Sequence, residues 1–167
     1  NISTFVQCCA YGVGQAAQPI ISQNYGAGRS DRVSRLLRYC LISCAVIGTA
    51  WTAAVVALPN GFIKLFMSPT AAVLAIAPEI MRIYAVSFLL LPYNVFSTYY
   101  FQAMLRPGTS VIISVSRGIV ISGALIMFLP LLLGSNSVWF AMPIAEAATA
   151  VYVTASIAKV QKAFAKA

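Results

Sequence analysis

The sequence contains no histidine and only three acidic residues, Asp31, Glu79 and Glu146. Zinc sites and general acid–base catalysis draw mainly on His, Asp, Glu and Cys side chains, so this composition nearly excludes enzymes that depend on them. Charged residues make up only 8% of the chain, where about 25% is usual. A soluble globular domain could not cover its surface with so few charges. Four cysteines in 167 residues are also too few for a disulfide scaffold.

Apolar residues, by contrast, account for 60% of the sequence. At roughly 20 residues for each membrane-spanning helix, plus short loops, the chain has room for about five spans. Turn-forming residues separate five long apolar stretches, and a shorter one, Phe62–Met67, is predicted to form a helical turn at the membrane surface. The predicted helices are approximately 2–25, 33–58, 72–105, 109–133 and 137–159. The predicted fold class is therefore an all-α polytopic membrane protein with five transmembrane helices.

Basic residues cluster at alternate ends of these helices, which places most of them on one side of a membrane. On that side lie Arg29, Arg32, Arg35, Arg38, Arg106, Lys159, Lys162 and Lys166. The opposite side has Lys64, with Arg82 some way into helix 72–105. The positive-inside rule predicts that the arginine-rich side and the C-terminus are cytoplasmic, in the cell inner (plasma) membrane. The net charge of +8 thus indicates topology and not nucleic-acid binding. An odd number of spans with an outside start predicts further helices upstream.

One side of the predicted helix 2–25 is polar along its length. At 100° per residue, an arc of about 80° contains Gln7, Tyr11, Gln15, Gln18 and Ser22. The opposite face carries Phe5, Cys9, Val13, Ala16 and Ile20. Polar groups inside a membrane are costly unless they face protein or water. This stripe therefore either makes hydrogen bonds between helices or lines a cavity for a solute.

The predicted helix 72–105 carries a second, mixed stripe. Its polar members are Tyr84, Ser87, Asn94, Thr98 and Gln102. Tyr93, Tyr99 and Tyr100 supply aromatic surface nearby. Aromatic faces beside polar groups suit amphipathic organic cations, although an interfacial aromatic belt explains the tyrosines equally well. Pro92 lies in the middle of the helix and can kink it.

Glu146 is the one acidic residue deep inside a predicted span. An ionisable group at that depth is a candidate functional site, which here could bind a proton or another cation. The alternative is a structural salt bridge. Arg117, on the adjacent antiparallel helix, is the obvious partner. From the cytoplasmic ends of their helices, Arg117 lies about 12 Å deep and Glu146 about 18 Å deep, a difference that two long side chains can close.

Three stretches of the sequence resemble one membrane transporter family. Residues 18–29, QPIISQNYGAGR, followed by Arg32 and Val33, resemble the end of the second helix in the C-terminal half of the multidrug and toxic compound extrusion (MATE) transporters. Phe101-Gln102-Ala103 followed by Ser114–Gly118, and Trp139–Glu146, agree with later segments of the same half. The order and spacing of these motifs match over essentially the whole chain.

The resemblance implies a fold, an activity and roles for the residues above. The five helices would be five of the six in a MATE-type C-terminal lobe, without the N-terminal lobe and one further helix. Such a protein exports cationic or amphipathic organic compounds, including drugs, in exchange for Na⁺ or H⁺ by alternating access, and is not an enzyme. It needs no cofactor beyond the coupling ion. Gln7, Tyr11, Gln15, Gln18, Asn94, Thr98 and Gln102 would line the substrate cavity, and Glu146 with Arg117 would form the ion-coupling or structural charge pair.

The expected partners are the lipid bilayer, the missing N-terminal lobe and small organic cations, with no nucleic acid. Some family members carry a coupling acid in the helix that matches 72–105, and this helix has none in its middle, so the principal coupling acid is sought upstream. A lipid-linked sugar flippase of the same superfamily is the nearest alternative, and its cavity would be more cationic. A non-transporting membrane scaffold is a further alternative, although it would not need two polar stripes and a buried charge.

Overall fold

The computed structural model describes residues 1–165, which contain no β-strand and are helical almost throughout. The α-helices are α1 (Ile2–Gly26), α2 (Ser30–Ala57), α3 (Pro59–Phe66), α4 (Ala71–Ala85), α5 (Leu91–Ala103), α6 (Pro107–Val115), α7 (Ser122–Leu133) and α8 (Ala141–Phe164). A 3₁₀ segment, Val86–Leu89, lies between α4 and α5, and another, Ser135–Phe140, precedes α8. A π-helical segment, Ser116–Ile121, joins α6 to α7. The prediction of an all-α protein is confirmed.

Four helical stretches are long and apolar enough to cross a membrane. They are Ser30–Ala57, Ala71–Ala103, Pro107–Leu133 and Ser135–Phe164. The first helix, α1, has 25 residues but is not among them, because the three glutamines of its polar stripe lower its mean hydropathy. With the short α3, residues 1–165 form six helical stretches, so the predicted count of five is not confirmed.

The predicted helix 72–105 is interrupted near its middle. The 3₁₀ segment Val86–Leu89 ends α4, and α5 then begins with Pro92 in its first turn. The nitrogen of Pro92 carries no hydrogen, so it cannot donate to the carbonyl of Phe88, four residues earlier. A proline in the first turn of a helix is tolerated, because the N–H it lacks would have no partner within the helix. The kink expected at Pro92 is thus a break between two helices.

The helix α5 is the centre of the bundle. It packs against α1, α2, α6 and α8, and 9 of its 13 residues are buried. The rings of Phe96, Tyr100 and Phe101 lie in one core cluster with residues of α1, α2 and α8. Being surrounded on several sides explains why α5 has no single apolar face, since a helix covered all round does not need one.

The face of α1 that packs on the bundle is neither the polar stripe nor the opposite apolar face defined by the sequence pattern. The buried residues of α1 are Val6, Ala10, Gly14, Ala17 and Ile21. At 100° per residue, this face lies between the polar stripe and the opposite apolar face. Its small residues let α1 approach α5 closely, and Gly14 lies directly against the ring of Tyr99. The polar stripe therefore runs beside the α1–α5 contact and not within it.

Most of the basic residues lie at one end of the bundle, which we call the basic end. They are Arg29, Arg32, Arg35, Arg38, Arg106, Lys159 and Lys162. Three contacts join the parts of this end. The hydroxyl of Ser34 on α2 donates to Oε1 of Gln161 on α8 at 2.7 Å, and Gln161 in turn donates to the hydroxyl of Tyr100 on α5. The rings of Tyr25 and Phe164 lie 6.3 Å apart. The ends of α1, α5 and α8 and the start of α2 thus lie together. Lys166, predicted on the same side, lies outside the described residues.

Candidate functional site

A buried ion pair joins α8 to the π-helical segment between α6 and α7. The Nε of Arg117 donates to Oε1 of Glu146 at 2.6 Å. The side chain of Glu146 is fully buried, whereas that of Arg117 retains 16% of its exposure. The two residues that the sequence pairs by depth are thus brought into direct contact. A charge at this depth needs such a partner, because an isolated carboxylate in an apolar interior is strongly unfavourable.

Asn94 of α5 hydrogen bonds to the second carboxylate oxygen of Glu146. Its side-chain Nδ2 donates to Oε2 of Glu146 at 2.6 Å and to the backbone carbonyl of Glu146 at 2.9 Å. The carboxylate therefore accepts from a guanidinium on one oxygen and from an amide on the other. The sequence places Asn94 on the wall of a substrate cavity, but in the structure it is fully buried. Both of its described side-chain hydrogen bonds go to Glu146, and its own Oδ1 is buried without a hydrogen-bond partner within residues 1–165.

The backbone around this cluster is irregular on the side of Arg117. A π-helical turn has one extra residue in its hydrogen-bonded ring, and such turns occur often at functional sites. Here it covers Ser116–Ile121 and therefore carries Arg117. On the other side, α8 is regular where it carries Glu146, and Thr149 donates to the carbonyl of Ala145. Glu146 is thus fixed on a regular helix, and Arg117 comes from the less regular one.

The polar stripe of α1 lies largely at the surface of the described bundle. Gln15 and Tyr11 are exposed and Gln7 and Gln18 are half-buried. The hydroxyl of Tyr11 donates to Oε1 of Gln7 at 3.1 Å. The ring of Tyr11 also meets that of Tyr99 on α5 edge to face, with centroids 6.2 Å apart. No described hydrogen bond joins the glutamines of this stripe to another helix within residues 1–165, so the described contact of the stripe with α5 is made by the ring of Tyr11.

Two further predicted residues on α5 lie on the surface beside Tyr99. Thr98 is half-buried and donates to the carbonyl of Val95 at 2.8 Å. Gln102 is exposed, and its Nε2 donates to the hydroxyl of Ser110 on α6 at 3.0 Å. Tyr99 follows Thr98 and lies one turn before Gln102, and its ring contact with Tyr11 links this part of α5 to the α1 stripe. We call the α1 stripe, Thr98, Tyr99 and Gln102 the polar surface. The structure therefore divides the predicted cavity residues into this open surface and the buried Asn94.

Sequence reasoning missed Ser110 as the hydrogen-bond partner of Gln102. It is buried at the start of α6, eight residues after Gln102 and across the turn at Arg106-Pro107-Gly108. A polar residue just after a tight turn lies opposite the residue just before it, and that spacing is the signal that could have found it. No group of three or more His, Cys, Asp or Glu side chains that could hold a metal lies within residues 1–165.

Comparison with known protein families decides what kind of protein this is. The MatE family model matches residues 1–128. The chain belongs to the MatE family. No curated protein and no solved structure matches it. The MatE match contains both polar stripes, Asn94 and Arg117, and ends before Glu146.

Membership in the MatE family confirms the resemblance read from the sequence motifs. MatE proteins are membrane transporters and not enzymes, and the four apolar stretches of this chain agree with a multi-pass membrane protein.

Proposed function

We propose that this chain forms five of the six helices in the C-terminal lobe of a secondary transporter. That transporter exports cationic or amphipathic organic compounds in exchange for Na⁺ or H⁺ by alternating access. The observation that carries the proposal is the polar stripe of α1. Exposed positions elsewhere on the bundle are strongly apolar, such as Ile119, Leu131 and Val151, and suit lipid. Glutamines facing lipid would leave polar groups unsatisfied, so the stripe is expected to face water, solute or the partner lobe.

In this proposal α1 also spans the membrane, and with the four apolar stretches named above it brings the number of spanning helices to five. With 25 residues it is about 37 Å long, which exceeds the roughly 30 Å hydrocarbon thickness of a bilayer. Its glutamines are compatible with a membrane position because they line the transport pathway between the two lobes. The basic end then lies on the cytoplasmic side of the plasma membrane, together with the C-terminus.

The preference for cations rests on the aromatic part of the same surface. Tyr11 and Tyr99 meet edge to face, and Tyr11 is 37% exposed. The faces of such rings attract organic cations, and the neighbouring amides of Gln7 and Gln15 can accept hydrogen bonds from them. The described surface has no cluster of Arg or Lys of the kind that a pyrophosphate would need, which favours drug export over lipid-linked sugar transport.

In this proposal Glu146 and its two partners contribute to ion coupling, beside the principal coupling acid that the family resemblance places upstream. In the observed arrangement the charges of Glu146 and Arg117 cancel. Arrival of H⁺ or Na⁺ at the carboxylate would leave one uncompensated positive charge in a buried site, which is unfavourable unless Arg117 moves away. Arg117 keeps some exposure and lies on an irregular helical segment, so it is the partner that can move. A guanidinium released towards the cavity would repel a cationic substrate and so promote its exit.

Export itself is tested with the protein expressed from its complete gene in efflux-deficient cells. Loss of a cationic dye would be followed with and without an imposed Na⁺ or H⁺ gradient. Efflux that depends on one gradient supports the antiporter and identifies the ion. No efflux from a protein shown to be in the membrane overturns drug export and makes lipid-linked sugars the next substrates, with a scaffold remaining if these also fail.

A matched pair of variants on α1 tests the polar stripe. Gln15→Ala removes an exposed amide from the stripe, and Ile20→Ala removes an exposed side chain from the opposite face. Loss of one hydrogen bond to substrate, worth about 1 kcal/mol, should raise the dye concentration for half-maximal efflux about fivefold in Gln15→Ala. Ile20→Ala should leave it unchanged. Equal effects of the two variants would contradict the assignment of the stripe to the cavity.

Glu146→Gln tests the coupling role. Glutamine keeps the size of the side chain but cannot carry a proton or a charge, so efflux by this variant should depend less strongly on the ion gradient. Glu79→Gln, at an exposed position on α4, is the control and should respond normally. The measurement is the ratio of efflux rates with and without the gradient. A full gradient response in Glu146→Gln would show that the pair is structural.

A further inference from the structure

A large apolar groove lies between α2 and α8, on the side of α5 away from the polar surface. Its volume is about 880 Å³, within the range of ligand-binding pockets. Leu41 and Ala45 of α2 form one wall, Ala150 and Ala158 of α8 form the other, and Tyr93 of α5 forms part of the floor. Its two hydroxyls, from Tyr93 and Thr154, lie 2.9 Å apart and hydrogen bond to each other. The groove therefore offers an almost wholly apolar surface.

The length of the groove matches one leaflet of a bilayer. On α8 its lining extends from Ala147 to Ala158, which corresponds to about 16 Å along a helix. Half of a hydrocarbon core of roughly 30 Å is about 15 Å. One end of the groove points to the middle of the spanning helices and the other to the basic end. An acyl chain of a lipid in that leaflet thus has the right direction and extent to lie in it.

Two basic side chains, Arg38 and Lys162, lie where the groove reaches the basic end. The hydrogen bond between Ser34 and Gln161 sets the antiparallel register of α2 and α8. Arg38 is two turns from Ala45 on the same face of α2, and Lys162 is one turn beyond Ala158 on the same face of α8. Both are exposed, and neither forms an ion pair with a carboxylate of residues 1–165. They are placed to flank an anionic group at the mouth of the groove.

We propose that this groove binds one anionic glycerophospholipid of the bilayer, with an acyl chain between α2 and α8 and the phosphate between Arg38 and Lys162. Guanidinium and ammonium groups bind phosphate through charge-assisted hydrogen bonds, and basic pockets between spanning helices hold lipid headgroups in this way. The site is separate from the export pathway, and its existence does not depend on which solute is transported.

Native mass spectrometry of the complete protein tests the proposal. The protein would be delipidated in detergent and exposed to phosphatidylglycerol or phosphatidylcholine of the same acyl composition. We expect one retained phosphatidylglycerol for each protein and about tenfold weaker retention in Arg38→Gln/Lys162→Gln, corresponding to about 1.4 kcal/mol. Arg35→Gln is the matched control, because Arg35 lies at the same end of α2 but turns away from the groove. It should retain the lipid as the unmodified protein does.

A second variant tests the acyl part of the site without changing charge. Ala155→Phe fills the groove from an exposed position on α8 and should lower phosphatidylglycerol retention by a similar factor. Equal retention of the two lipids, equal loss in Arg35→Gln, or no effect of Ala155→Phe would each overturn the proposal. So would a disulfide between the new thiol of Ala155→Cys and a second cysteine introduced into a segment outside α2 and α8, because that segment would then be the occupant.

Discussion

Replacing Arg117 with methionine is expected to lower the free energy of unfolding by about 3–5 kcal/mol, the usual cost of breaking a buried ion pair. The fully buried carboxylate of Glu146 would lose the guanidinium that neutralises it. Glu146→Gln should cost less, because Arg117 keeps 16% of its exposure and can turn towards water. The amide oxygen of a glutamine could also still accept from Asn94. Melting temperatures of the complete protein in detergent would measure both effects.

The double variant Arg117→Met/Glu146→Gln separates pairing from general damage to the core. It contains no charge at this site and retains similar volume, so its melting temperature should lie well above that of Arg117→Met alone. If the two losses simply add, the residues do not interact and the observed contact does not stabilise the fold. A larger loss for Glu146→Gln than for Arg117→Met would contradict the difference in burial on which the prediction rests.

The sequence predicts the pairing of Glu146 with Arg117 but not the position of Asn94, and the reason is geometric. Depth along two antiparallel helices follows from counting residues, so two rare charges can be matched before the structure is known. The side of α5 that faces a given neighbour depends on how the helix is rotated. From Asn94 to Thr98 and from Thr98 to Gln102, each step of four residues rotates the side-chain direction by about 40° about the helix axis. Asn94 lies at the edge covered by α8, whereas Gln102 lies at the opposite edge beside α6.

The packing face of α1 could not be predicted from the sequence for a similar reason. An amphipathic pattern separates a polar from an apolar face, and in a soluble protein the apolar face would be buried. Inside a membrane, exposed apolar residues such as Phe5 and Ile20 can face lipid. Close approach of helices then depends on small residues, and in α1 these are Ala10, Gly14 and Ala17. Hydrophobicity alone therefore identified the helix but not the side that packs.

Gly48→Ala is expected to destabilise the protein by about 1–3 kcal/mol, as overpacking of a tight contact does. A Cβ at position 48 would lie 2.6 Å from the carbonyl oxygen of Phe88 and 3.1 Å from that of Leu89. These are backbone atoms, so no side-chain rotation can relieve the clash. The carbonyl of Phe88 is the one that Pro92 leaves without its regular helical donor, and the bare Cα of Gly48 packs against it. The break before α5 and this close approach of α2 thus meet at the same carbonyl.

Two other glycines provide a graded control in the same melting experiment. In Gly14→Ala the new Cβ would lie 2.4 Å from Cδ2 and 2.7 Å from Cγ of Tyr99, so the whole ring must shift. Because this is a side chain and the atoms facing Gly48 are backbone, the loss should be smaller than at Gly48. Gly123 of α7 has no atom within 4 Å of the added Cβ, and Gly123→Ala should stabilise its helix by up to about 1 kcal/mol. The expected order of melting temperatures is Gly123→Ala above Gly14→Ala above Gly48→Ala. A Gly48→Ala protein that melts with or above the unmodified one would mean that α2 does not rest on the Phe88 carbonyl, and that the interruption at Pro92 serves no packing contact.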